Sequence, residues 1–216
     1  MFQLFSPDST FGRWMGFLLD ALLISIAWAV CCLPVFTIGA STAALHRVAI
    51  NWMRKRSECN VKTFFVAFKD NFKGGTIIWL ILLLPLALIL YNAYAVWIAL
   101  VSVSAAVKWM TLIAALVWIA TAVYSFSLQA AFENLPVRTV VNALRIAASH
   151  IGTTLILVAM IALAVFCTLV LPYGAFLYIP FCAFLSARPV WNVFERIMGN
   201  PDVIVERTDE LKEEVD

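Results

Sequence analysis

The sequence predicts an all-α fold, a polytopic bundle of transmembrane helices, and three observations carry that expectation. First, 63% of the 216 residues are hydrophobic and only 13% are charged, whereas a soluble domain holds about a quarter charged residues and under half apolar ones. Second, the apolar residues are gathered into five spans, 14–36, 76–97, 109–131, 151–171 and 174–190, most of them near the ~20 residues that cross a hydrocarbon core of ~30 Å. Third, few charges lie inside these spans, and in lipid a helix satisfies its own backbone polar groups. Residues 1–200 therefore read as one transmembrane helical domain.

The first span reads as a retained helix rather than a signal peptide. Asp8 and a single Arg13 precede it, no small-residue cleavage site follows Cys32, and the apolar run is too long for a signal h-region. Asp20 lies inside it. A carboxylate at the bilayer centre costs about 2.5–3.5 kcal/mol on insertion scales, so Asp20 is either a polar contact or proton or ion relay, or a structural partner of Arg13 or the backbone.

The stretch CCLPVFTIGASTAALHRV, residues 31–48, decides the count of helices. Pro34 and Gly39 break the first span, and residues 41–53 then form either a connection outside the membrane or a short embedded sixth helix, the favoured reading. Ser41 and Thr42 are suitable N-caps and Gly39 permits the turn before them. A helix start at that depth, with His46 and Arg47 one turn further on, has the ingredients of an anion site; the plainer reading is a capped helix joint. Gly39-Ala40-Ser41-Thr42-Ala43 also approaches the nucleophile setting of an intramembrane hydrolase. It lacks the second glycine, and the other histidine, His150, stands at the edge of the fourth span.

Two basic amphipathic segments separate the spans. In 61–73, Val61, Phe64, Phe65, Phe68 and Phe72 share one face, flanked by Lys62, Lys69 and Lys73. In 137–149, Val137, Val140, Val141, Leu144 and Ala148 oppose Arg138, Asn142, Arg145 and Ser149. Both are candidate interfacial helices, apolar face at the headgroup boundary and cations toward anionic lipid. They also repeat each other faintly, through Thr63 and Thr139 and through Gly75-Thr76 and Gly152-Thr153 at the start of the following spans. Arg54, Lys55, Arg56, Lys62, Lys69, Lys73, Arg138 and Arg145 make this the cytoplasmic side, where they contact lipid or a partner. The C-terminus, with Arg188, Arg196, Arg207 and Lys212, lies on the same side. Residues 201–216 form an acidic cytoplasmic tail, seven carboxylates against two cations.

Other features are weaker. Gln129 and Glu133 share a face at the end of the third span, either as a polar site or as an interfacial cap. Pro85 should kink the second span, and Trp79, Tyr91, Tyr94, Trp97 and Trp109 sit where an aromatic belt would. The five cysteines have no metal-ligand spacing. There is no Walker A and no H-E-x-x-H. No cofactor, metal or nucleic acid is expected.

The chain resembles the YesL-like family of small bacterial membrane proteins. The residues that carry the likeness are Gly16 and Asp20, the run Leu33-Pro34-Val35-Phe36-Thr37-Ile38-Gly39-Ala40-Ser41-Thr42-Ala43-Ala44-Leu45, Phe64-Phe65 with Phe68-Lys69-Asp70-Asn71-Phe72-Lys73, Thr76-Ile77-Ile78-Trp79-Leu80, and Phe132-Glu133-Asn134. His46-Arg47 departs from the more apolar pair expected there. The resemblance implies a multi-pass protein of the bacterial plasma membrane, without an established activity, in the context of carbohydrate utilisation. The expected role is accordingly an accessory or scaffold that contacts sugar-transporter subunits. A small-solute or ion transporter is the alternative, with Asp20, Ser41 and Thr42 on the path, and an intramembrane hydrolase is a remote one. The oligomeric state is not legible.

Overall fold

The computed structural model describes residues 10–54, 60–97, 104–132, 135–171 and 175–198. Helix accounts for 94% of them, and no strand occurs among them. The elements are α1 (Thr10–Cys31), a 3₁₀ turn (Val35–Thr37), α2 (Ile38–Met53), α3 (Val61–Asp70), α4 (Phe72–Trp97), α5 (Ala105–Ala131), α6 (Pro136–Ser149), α7 (Ile151–Val170) and α8 (Ala175–Met198). Lys55, Arg56, Glu133 and the acidic tail 201–216 lie outside the described residues.

α1 ends at Cys31, five residues short of the predicted span. Pro34 disfavours helical backbone at Leu33 and supplies no N–H of its own, so the chain turns there. Thr37 secures the turn. Its hydroxyl lies 2.6 Å from the carbonyl oxygen of Cys31, which the ending helix leaves without an intrahelical partner, and 2.7 Å from that of Pro34.

Among the described residues, three stretches are long and apolar enough to cross a membrane: 61–96, which joins α3 to α4, then α5 and α7. Their outer faces agree with that. Leu80, Leu84 and Leu88 stand outward at i, i+4, i+8, with Leu84 72% exposed, and Leu155, Phe166 and Leu169 do the same on α7. Contiguous apolar faces of this kind belong against lipid. The other two expected spans map on to α1, of which Leu19–Cys31 is a shorter apolar helix, and α8. The latter runs unbroken through Pro180 and Pro189 and ends eight residues beyond the predicted limit. It does so because Ala183, Phe184, Ala187, Val190, Trp191, Val193 and Phe194 are buried in the core.

α2 is the hub of the bundle. It packs against α4, α3, α8, α5 and α1, and ten of its sixteen residues are buried. Small residues allow this. A Cβ on Gly75 would sit 2.7 Å from the Cα of Ala40, and one on Gly39 would strike the Gly75 carbonyl, so α2 and α4 cross backbone to backbone at a pair of glycines. From there α2 passes α5 at His46, then α8, where Trp52 meets Phe184 edge-on with ring centroids 6.0 Å apart. The Arg54 guanidinium lies 4.1 Å above the Trp191 ring.

Gly74 abuts Gln129, which places the start of α4 beside the last turn of α5. α3 and α6 therefore share one end of the bundle, here termed the basic end. Phe132 and Phe194, with ring centroids 5.7 Å apart, bring the last turns of α8 to it. Both ends of α2 contact residues near this end, so α2 lies across the bundle rather than running from one face to the other.

Candidate functional site

The sequence grouped Ser41, Thr42, His46 and Arg47 as one polar site at a helix start; the structure disperses them. α2 begins at Ile38, three residues earlier than expected, because the 3₁₀ turn feeds directly into it. Thr37 occupies the N-cap position, and no side chain caps the helix. Ser41 is fully buried and donates to the Trp28 carbonyl of α1 at 3.2 Å. Thr42 donates to the Ile38 carbonyl at 2.7 Å. Arg47 turns outward to Asp70 of α3, with Nη1 and Oδ2 3.5 Å apart. The first turn of α2 is pressed on to α4 by Gly39 and Gly75.

His46, like Ser41, points into the protein. It is 5% exposed, and its Nδ1 lies 3.2 Å from the hydroxyl of Ser127 on α5. A buried polar seam runs along another face of α5. Thr121, Ser125 and Gln129 follow one another at four-residue intervals and are all buried. Thr121 donates to the Val117 carbonyl at 2.8 Å, but Ser125 Oγ and Gln129 Oε1 have no hydrogen-bond partner among the described residues, nor do Thr76 Oγ1 and Trp79 Nε1 on α4. An unsatisfied buried polar group costs about 1–3 kcal/mol, so these atoms mark the interior places where water or a polar ligand gains most by binding. The sequence did single out Gln129. It missed Ser125, for which a Thr-x-x-x-Ser-x-x-x-Gln series inside an apolar span was a usable signal, and Ser127, which lies outside that series.

Asp20 is half-buried in α1 and has no ion-pair or hydrogen-bond partner among the described residues. The side chain of Arg13, its expected partner, lies outside the description. Lys62, Lys69 and Lys73 are exposed along α3 and the start of α4, and Arg138 and Arg145 along α6.

The two amphipathic segments pack differently from each other. On α3, Phe64 and Ala67 are buried against the bundle while Phe65 and Val66 remain exposed, so the predicted lipid-facing surface is partly a protein contact. On α6 the buried face is Thr139, Ala143, Ile146 and Ala147. Small side chains let α6 lie close on α5, and Val137, Val141 and Leu144 are left exposed.

Together these features define a class: an α-helical membrane protein whose central helix is buried in protein and whose cations gather at one end. Residues 21–93 match the family model described as "Protein of unknown function, DUF624", a family that includes the YesL-like small membrane proteins. The match runs from the middle of α1 through the Thr37 turn, α2 and α3 to the last turns of α4, and it takes in most of the residues on which the resemblance was read. No curated protein and no solved structure matches the chain.

Proposed function

We propose that the protein is an accessory or scaffold component of a multi-pass assembly in the bacterial plasma membrane, serving sugar uptake or carbohydrate utilisation, with its basic end and C-terminus in the cytoplasm. The observation that supports this reading is the pairing of α3 and α6 at one end. Each carries exposed cations beside exposed apolar side chains: Lys62 and Lys69 with Phe65 and Val66, Arg138 and Arg145 with Val137, Val141 and Leu144. None of these four cations has an ion-pair partner among the described residues. Such a surface suits anionic headgroups or an acidic face on a soluble transporter subunit. The sugar context rests on the family resemblance alone.

Charge reversal of Lys62, Lys69 and Lys73 to Glu tests this. Affinity purification from native membranes in mild detergent, with co-purifying proteins quantified by mass spectrometry, should show sugar-transporter subunits enriched with the wild-type chain and lost with the variant. Equal recovery of those subunits with both proteins would refute docking through α3.

A further inference from the structure

A cavity of about 520 Å³ lies between α5, α7 and α8 and extends to α2 and Trp28 of α1. Its wall is mainly apolar, built from residues such as Val123, Phe126, Leu157, Ile161 and Ala164. The hydroxyls in the wall are occupied by their own helices: Thr42 donates to Ile38, Thr168 to Ala164 and Ser186 to Ala183, at 2.7, 2.8 and 2.9 Å. Two nitrogens are not occupied. Trp28 Nε1 is buried without a partner. His46 engages Ser127 through Nδ1, and its Nε2 has no partner among the described residues. When the Ser127 hydroxyl donates to Nδ1, the proton of the neutral imidazole sits on Nε2. The side of the cavity formed by α1 and α2 then carries two N–H donors with no acceptor among the described residues.

The dimensions fit a lipid chain. Along α7 the wall runs from Leu157 to Leu169, about 18 Å at ~1.5 Å per residue, against ~15 Å for half of a ~30 Å hydrocarbon core. Val165 and Leu169 belong to the wall yet are more than half exposed, so the cavity opens on the outer apolar surface of α7. Its wall includes no Lys or Arg to hold a carboxylate, and too few unoccupied polar groups for a sugar.

We propose that this cavity holds one acyl chain of a bilayer glycerolipid. The chain lies along α7, and its ester carbonyl accepts the hydrogen bonds that Trp28 and His46 leave unused. The test uses the full-length protein in nanodiscs containing a glycerolipid with a diazirine midway along one acyl chain, photolysed and mapped by peptide mass spectrometry. Labelling should concentrate on residues 157–169 and 183–186. Ala164→Trp, which fills the cavity, should lower it several-fold there while leaving the label around Leu84 and Leu88 unchanged. Trp28→Phe keeps the ring but removes the N–H, and should reduce the lipid retained in native mass spectrometry even if Ala164→Trp fails to fold. Even labelling of all outward helix faces, indifferent to both variants, would overturn the proposal. So would strong labelling by a diazirine fatty acid where the glycerolipid gives none.

Discussion

Two corners of the molecule share a sequence pattern and differ in what holds them. α3 runs into α4, and α6 into α7, each through a single residue, Asn71 or His150. In both, a short basic amphipathic helix precedes a long apolar one, and Gly-Thr stands near the start of the second. The first corner is clamped on to α2. Gly75 touches Ala40, Phe64 is fully buried, and the Asn71 side chain donates to the Ala67 carbonyl at 2.8 Å. The second corner is open: a Cβ on Gly152 would meet nothing within 4 Å. There Thr154 holds the joint, its hydroxyl 3.0 Å from the carbonyl oxygens of both Ala147 and His150. The same dipeptide is thus a packing necessity in one corner and a spacer in the other. A repeat in sequence need not be a repeat in tertiary role, because the neighbour that makes a glycine obligatory, here α2, comes from elsewhere in the chain.

The largest contrast should come from the aromatic anchor. Phe64→Ala is expected to destabilise the protein by about 3–5 kcal/mol, as for other fully buried aromatics, whereas Leu144→Ala on exposed α6 should change stability by under ~0.5 kcal/mol. Thermal unfolding in detergent measures both, and similar losses would erase the distinction between the corners. Next, Gly75→Ala should cost about 1–3 kcal/mol through overpacking against Ala40. Gly152→Ala should instead gain up to ~1 kcal/mol, because alanine loses less backbone entropy in a helix. Opposite signs in the same assay are the sharpest form of the comparison. Asn71→Ala removes a buried donor and is expected to cost about 0.5–1.5 kcal/mol; a neutral result would show that the clamp rests on packing alone. The smallest effect belongs to Arg47–Asp70. Both side chains are partly exposed, at 23% and 38%, so a double-mutant cycle should return about 0.2–1 kcal/mol, shrinking as salt is raised. A larger, salt-insensitive coupling would mean that the pair is shielded by something seated on α3.

Much of the fold was legible. Long apolar runs announce helices because lipid leaves the backbone no other partner, and α4, α5 and α7 follow their predicted spans closely. The two short amphipathic helices were also visible from their spacing. Which of their residues pack against the bundle was not. Val137, Val141 and Leu144 form an exposed apolar stripe on α6, while Thr139, Ala143, Ile146 and Ala147 are buried, three of these four being small enough to let α5 approach closely. The candidate site was less legible still. Ser41, Thr42, His46 and Arg47 are near neighbours in sequence, but helical geometry sends them to α1, to their own backbone, to Ser127 and to Asp70.

The sequence by itself determined that this is an all-α chain suited to a bilayer, with a break at Pro34 and cations clustered in the connections that form one end. Those properties depend on composition and on residues within a turn or two of each other. Only the tertiary structure decided that α2 lies across the bundle, that Gly39 and Gly75 are its crossing point, and that His46 meets Ser127 81 positions away. Close packing selects partners by shape at a distance along the chain, and the local pattern of apolar and polar residues does not encode which surfaces will fit.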